Sequence, residues 1–179
     1  MEFFPKFNLI YKMFIKLQTE RLDIRPLDAF DAAFILKLLN TRGWLQFIGD
    51  KEIHDLVDAL SYIKWISEKD GFFYHVVRTQ EDYEPIGVVT LLYRDNQEHP
   101  DIGFAFLPEF FGKGYAFEAV NAYMNALCAK LSDLILQAIV MPANHRSVRL
   151  IEKLGFIFYE RFLEAADELD IYRLKGQHR

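Results

Sequence analysis

Asp101–Ala119 reads DIGFAFLPEFFGKGYAFEA, and the organisation of the chain follows from how these residues alternate. Ile102, Phe104 and Phe106 alternate with Asp101, Gly103 and Ala105, the period of a strand with two different faces. Pro108 removes a backbone donor and ends that ladder. From Gly114 the period changes. Ala116, Val120, Tyr123 and Leu127 fall at i, i+4, i+7 and i+11, one stripe of an amphipathic helix. Gly112-Lys113-Gly114 lies between the two, with no bulky side chain over either glycine.

A strand, a glycine turn and a helix start together make an anion site. The first four N–H groups of a helix have no partner within it, and the helix dipole makes that end positive. Glycines let the chain turn tightly and let a ligand approach the backbone. A phosphate placed there takes several N–H bonds at once. The residue types leave an ordinary strand–turn–helix about as good a reading. The nucleotide patterns fail: Leu107 stands where a P-loop begins with glycine, and Lys113 is followed by Gly114 instead of Ser or Thr. Phe117 occupies the third glycine position of a dinucleotide fingerprint.

The stretch resembles the acetyl-CoA pyrophosphate loop of the GNAT acetyltransferases, most closely the branch containing the ribosomal-protein-alanine N-acetyltransferases. Ile102, Gly103, Phe104, Leu107, Pro108, Gly112, Lys113, Gly114, Tyr115, Ala116, Glu118 and Ala119 carry the match. The resemblance implies that Phe106, Leu107, Phe111, Gly112, Lys113, Gly114, Tyr115 and Ala116 bind acetyl-CoA.

A second stretch supports it. In Asn144–Phe156, NHRSVRLIEKLGF, Asn144 is a good N-cap, Lys153 suits the last turn, and Gly155 stands where a helix end wants a left-handed residue. Taken alone this is helix capping. Beside the glycine loop it resembles the family's second cofactor motif, which implies that Asn144 and Ser147 hydrogen-bond the pantetheine arm or nearby CoA groups.

Working outward, Leu17–Leu27 alternates as a half-buried strand closed by Pro26, and resembles the opening strand of the same branch. Asp28 suits the cap of a helix carrying Ala32, Ile35, Leu36 and Leu39, which Asn40–Gly43 breaks. Trp44–Asp50 is a short apolar stretch, and Leu56–Glu68 a second helix. The resemblance makes Trp44–Trp65 part of the acceptor pocket. Strands follow at Phe72–Val77, Ile86–Tyr93, Leu134–Met141, Phe156–Phe162 and Leu169–Leu174, with Ile86–Tyr93 apolar enough for burial on both faces. The order β-α-α-β-β-β-α-β-α-β-β is α+β with one mixed sheet of about seven strands flanked by helices, which agrees with the GNAT fold that the resemblance implies. It predicts one domain over residues 17–174, an extension over 1–16 and a polar tail over 175–179.

Composition narrows the function. The 179 residues suffice for one core, and 51% hydrophobic with 26% charged residues is a globular balance. A net charge of -5 argues against a nucleic-acid surface, and the aromatic residues sit at core periods and form no base-stacking platform. The lone Cys128 permits no internal disulfide and points to a reducing, cytoplasmic setting. Residues 1–16 are interrupted by Lys6, Lys12 and Lys16, which argues against a membrane span or signal peptide; the segment is a packed extension, a partner-binding arm or sequence upstream of a start at Met13. His54, His75, His99, His145 and His178 lack metal-ligand spacing, so no metal is expected.

Acetyl transfer to an amine needs a base to take the ammonium proton, a donor for the carbonyl oxygen and close positioning of the reactants. Asp101, at the start of the central strand, is the candidate base, with a solvated strand-end carboxylate as the equal alternative; Glu109 and Glu118 are weaker choices. Many GNAT enzymes carry a tyrosine acid where this chain has Ile151, so Tyr115 and Tyr159 are substitutes, or solvent supplies the proton. The resemblance thus implies an acetyl-CoA-dependent N-acetyltransferase acting on a protein α-amine or a small-molecule amine within a ternary complex. The alternative is a non-catalytic acyl-CoA-binding or regulatory module of the same fold. Oligomeric state is not readable.

Overall fold

The computed structural model describes residues 15–131 and 134–174. Almost all of the expected N-terminal extension and the whole polar tail therefore lie outside the described residues. One sheet of eight strands runs in the order β1-β2-β3-β4-β5-β6-β8-β7. The strands are β1 (Leu17–Gln18), β2 (Leu22–Pro26), β3 (Phe72–Thr79), β4 (Pro85–Leu92), β5 (Asp101–Phe106), β6 (Gln137–Val140), β7 (Phe156–Glu164) and β8 (Asp167–Leu174). The helices are α1 (Ala32–Leu39), α2 (Arg42–Phe47), α3 (Leu56–Glu68), α4 (Tyr115–Lys130) and α5 (His145–Lys153). This is the expected α+β fold with one mixed sheet.

The eighth strand comes from the opening segment. Leu17–Leu27 was expected as one strand, but a turn in which Thr19 N–H donates to the Leu22 carbonyl splits it into β1 and β2. The apolar stretch after Asn40 is also helical at its start. Thr41, part of the expected break, is the N-cap of α2, and its hydroxyl accepts from Trp44 N–H at 3.3 Å. Leu134–Met141 was expected to be strand throughout, but only Gln137–Val140 pairs in the sheet. The last two strands run longer than their apolar residues suggested, because the hairpin pairs as far as Glu164 opposite Asp167.

Helices cover both faces of the sheet. On one face α4 and α5 bury Val120, Tyr123, Leu127 and Ile151 against Leu22, Ile24, Phe73, Ile86, Leu91 and Ile102. On the other, α1 to α3 bury Phe34, Ile35, Leu38, Trp44, Ala59 and Ile63 against Val76, Val88 and Leu107. Fully burying one such leucine or isoleucine contributes about 1.5–3 kcal/mol. β4 is buried along nearly its whole length, as its apolar run predicts.

Caps fix the helix starts. Asp55 accepts from Val57 and Asp58 N–H at 2.8 and 2.9 Å to start α3. Asp28 accepts from Phe30 N–H in a capping box that opens the short turn Ala29–Asp31 ahead of α1.

The parallel pair β5–β6 positions the site. β5 pairs with β4 from Asp101 to Phe106. With β6 it pairs at one register position, Asp101 opposite Gln137. Beyond that point one edge of β5 is open, and a cleft occupies the gap.

Candidate active site

Two adjoining cavities occupy this cleft, one of about 670 Å³ and one of about 710 Å³. Trp44, Phe47, Ile48, Phe104, Ala105, Asn144 and Ser147 line both, so they form one continuous space. Such volumes suit a small ligand or cofactor.

The 710 Å³ cavity lies against the start of α4. Gly112 (φ +75°) and Gly114 (φ +82°) both have left-handed backbone, which favours glycine. Gly114 is the N-cap, and no side chain caps the helix. A Cβ added at Gly112 would meet nothing within 4 Å. Tyr115, Ala116 and Phe117 of the first turn line the same cavity beside that space, and Arg21 lies 3.4 Å from where a Cβ on Gly114 would stand. From α5, Arg146, Arg149 and Lys153 line the same cavity. An uncapped helix start, an open glycine and three cations are groups that could hold a polyphosphate.

Neighbouring residues hold the loop in place. Glu118 accepts from Thr19 Oγ1 at 2.5 Å, from Arg21 N–H at 3.1 Å and from Arg21 Nε at 2.7 Å. Arg21 also donates to the Lys113 carbonyl at 3.0 Å and lies over the Tyr115 ring at 4.6 Å. Partial burial acts to raise the Glu118 pKa, but the bonds from Thr19 and Arg21 outweigh it and hold the carboxyl below its usual range. Glu118 thus ties the β1–β2 turn to α4.

The 670 Å³ cavity carries the carboxylates. Asp101 lines it, is 3% exposed and takes Arg94 Nε on Oδ1 at 2.7 Å. The second contact, from Arg94 to Oδ2, is long at 3.4 Å, so Oδ2 keeps acceptor capacity. Burial pushes the Asp101 carboxyl up, against the lowering effect of Arg94. Tyr62 and Tyr74 also line this cavity and are hydrogen-bonded to each other; burial raises the pKa of both. Their phenols stay neutral at physiological pH.

The expected cofactor residues divide. Phe106, Phe111, Gly112, Gly114, Tyr115 and Ala116 line the 710 Å³ cavity, and Asn144 and Ser147 line both. Leu107 lies in the core beneath α1–α3, where its N–H donates to the Ile86 carbonyl. Lys113 reaches over the Phe110 ring, 5.1 Å from its centroid. Neither side chain belongs to a cavity wall. Asn144 caps α5 as its residue type predicts, accepting from Ser147 N–H at 3.2 Å, and Gly155 has the expected left-handed backbone at φ +92°.

Tyr159 lies away from this group, half exposed on β7 with the Arg173 guanidinium 3.4 Å above its ring. Glu109 pairs with Lys37 at the surface, away from both cavities. Ile151, where the resemblance led one to look for a tyrosine, is 3% exposed in the core. His75 is also buried; loss of solvent, and then Lys130, lower its pKa to about 3. Its Nε2 accepts from Ile15 N–H at 3.0 Å, a core role for a neutral ring.

Sequence reasoning missed Arg146, Arg149 and Lys153 as a set. Their spacing of i, i+3 and i+7 was the available signal, one face of a helix. It also missed Arg94, and it placed Trp44 in the acceptor region without singling out its indole N–H. The Trp44 Nε1–H is buried and has no hydrogen-bond partner among the described residues, in a wall common to both cavities. A buried donor of this kind normally has a partner, so a bound acceptor oxygen fits there. Among the described residues no group of three His, Cys, Asp or Glu is placed to hold a metal ion. No described helix is long and apolar enough to cross a membrane.

Comparison with known proteins agrees with this architecture. The chain is 27% identical over 150 residues to an uncharacterized N-acetyltransferase, YoaA, of Bacillus subtilis, covering 80% of this chain and 84% of that protein. A putative GnaT-family acetyltransferase from Bordetella pertussis shares the fold with a TM-score of 0.74 at 19% identity, over 90% of this chain and 99% of the other. Ribosomal-protein-S5-alanine acetyltransferase from Vibrio fischeri superposes with a TM-score of 0.73 at 18% identity, over 92% and 98%. Spermidine N-acetyltransferase from Vibrio cholerae, in complex with CoA and spermine, gives 0.69 at 20% identity, over 87% and 94%. Residues 21–157 match the family model described as the acetyltransferase (GNAT) domain, and the chain belongs to that family.

Proposed function

We propose that this chain transfers an acetyl group from acetyl-CoA to a primary amine, with both substrates bound in the β5–β6 cleft. One observation carries the reading: a polyphosphate cradle and a buried carboxylate line two cavities that meet along the open edge of β5. Leu17–Leu174 then acts as a single acetyltransferase domain. The lone Cys128, a half-buried thiol whose pKa burial raises, fits a reducing cytoplasm.

Acetyl-CoA, when bound, supplies the thioester carbon that the amine attacks. Gly112, Gly114 and the N–H groups of α4 hold its diphosphate, and Arg146, Arg149 and Lys153 balance the phosphate charge. Phe111, Tyr115 and Ala116 line the path to the loop, and Lys113 adds positive charge at its surface. The open edge of β5, with Asn144 and Ser147 on α5, would hold the amide-bearing arm, and a free β5 N–H would supply the donor for the developing oxyanion. Asp101 Oδ2 accepts the ammonium proton, directly or through water. Its raised pKa brings it closer to that of an amine. The leaving thiolate takes a proton from solvent or from Tyr115, which lines the cofactor cavity.

Asp101–Ala119 resembles the branch of the ribosomal-protein-alanine N-acetyltransferases, while the shared fold extends also to spermidine N-acetyltransferase, so the acceptor is a protein α-amine or a small-molecule amine. The test is release of CoA thiol from acetyl-CoA with a panel of amines, followed by mass analysis of each amine. Transfer to at least one amine is expected. CoA binding with no transfer to any of them would leave a cofactor-binding module and overturn the catalytic reading.

A further inference from the structure

The walls of the 670 Å³ cavity describe the acceptor more closely than its amine alone. Three rings form one surface: Tyr62 and Trp65 stack with centroids 5.9 Å apart, and Phe72 meets Trp65 edge-on at 5.8 Å. All three line the cavity, and Trp65 is 48% exposed, a large area of ring open to solvent. Leu45 and Ile48 add further exposed apolar surface to the same lining. Such a surface binds a flat or branched apolar body.

Charge is the second constraint. The rings already hold an ammonium of the molecule itself, because Lys69 Nζ lies 4.8 Å from the Trp65 centroid and 4.1 Å from that of Phe72. Lys69 is not part of the cavity wall. Inside the wall, Arg94 neutralises Asp101 at 2.7 Å, and Lys51 adds another cation. The remaining carboxylates, Glu164 and Asp167, face each other in the β7–β8 register and form a single acidic spot. Asn96 donates to Glu164 at 2.9 Å and fixes it. With Asp101 offset by Arg94, the Glu164–Asp167 pair against Lys51 leaves one net negative charge in the wall, which suits one positive charge and opposes a chain of them.

We propose that the acceptor is a monocationic primary amine carried on an apolar, ring-bearing body, with Tyr62, Trp65 and Phe72 holding the body. This rests on the acetyl-transfer reading of the cleft. A free arylalkylamine and a peptide with an aromatic first residue share this chemistry.

The experiment compares phenethylamine, a tetrapeptide amide beginning with phenylalanine, and spermidine, using the full chain and its Trp65→Ala variant. Two readouts are taken: CoA release, and saturable quenching of tryptophan fluorescence by each amine without acetyl-CoA. One of the two aromatic amines should exceed spermidine in kcat/KM by about tenfold or more, and which one does so identifies the source. Trp65→Ala should remove most of that preference while the thermal shift given by CoA stays unchanged. Phe72→Leu is the second variant should Trp65→Ala fail to fold.

Preference for spermidine, or a ratio untouched by both variants, would overturn the proposal and leave acetyl transfer standing. Aromatic-amine binding without transfer to any amine would support the pocket assignment and remove the catalytic reading.

Discussion

On the side of α4 and α5 the cleft combines a backbone turn and helix start with cationic side chains; on the side of α2, α3 and the β7–β8 hairpin it is built from side chains alone. The first side needs left-handed residues at Gly112 and Gly114 and an uncapped helix start. These requirements fall on adjacent positions and leave a pattern that a reader of the sequence can find. The second side draws on Trp44, Tyr62, Arg94, Asp101 and Glu164, brought together only by the fold. Asp101 was marked by its place at the start of the central strand, and Trp44 and Tyr62 fell within the expected acceptor region, but nothing in the spacing marks Arg94 or Glu164. Phosphate geometry is constant from ligand to ligand, whereas an acceptor pocket must suit one amine.

Substitutions on the two sides should therefore separate in kinetics. The largest effect is expected at Asp101. Asp101→Asn should lower kcat/KM for the amine by about 10²–10⁴. It should leave the thermal shift given by CoA intact. As the proposed base, Asp101 would work only when deprotonated, and burial raises its pKa, so the wild-type rate should fall with decreasing pH at values above the usual carboxylate range of roughly 4. The variant should lack that limb. A limb shared by both proteins would assign it to another group.

Gly112→Val tests the other side. A branched residue at φ +75° is strained by about 1–2 kcal/mol, which a folded domain can absorb. The space above Gly112 is free of protein atoms, so a loss of CoA affinity would mean the ligand uses it. A loss of about a hundredfold by calorimetry is expected, with acceptor binding unchanged, because close backbone approach is what that position provides. Equal losses for both ligands would break the division between the two sides.

A smaller effect is expected at Arg149. Arg149→Ala should weaken CoA binding by about tenfold and flatten its dependence on salt. The same change in affinity at all ionic strengths would mean a packing role.

The smallest effect concerns the anchor of the loop. Glu118→Gln should lower stability by about 1–2 kcal/mol at neutral pH, a few degrees in midpoint. Its folded pKa lies below the unfolded value, so the stabilisation is present above roughly 4.3 and is lost as pH falls below that. Melts of wild type and variant should therefore converge in acid. A gap that persists there would point to geometry instead of charge.

Much of the fold was legible in the sequence because period and punctuation agreed along most of the chain. The bounds of α3 match the expected Leu56–Glu68, since Asp55 caps it and its apolar stripe is regular. α2 was hidden because Thr41 and Gly43 look like a break, yet Thr41 starts a helix of six residues. β6 was overdrawn because Leu134–Leu136 continues its apolar run without pairing in the sheet. In the site, Gly112, Gly114 and Asn144 were legible through backbone needs. Arg94 was not, because its role depends on meeting Asp101 across the turn that joins β4 to β5.

The most direct test of the account is a thermal melt with acetyl-CoA, ATP and NAD in parallel. A ligand at ~100 times its dissociation constant adds roughly 2.7 kcal/mol. Each kcal/mol moves the midpoint of a domain this size by roughly 2–4 °C. The account predicts a rise of several degrees with acetyl-CoA and little or none with the other two. No rise with acetyl-CoA, or an equal rise with ATP or NAD, would contradict it.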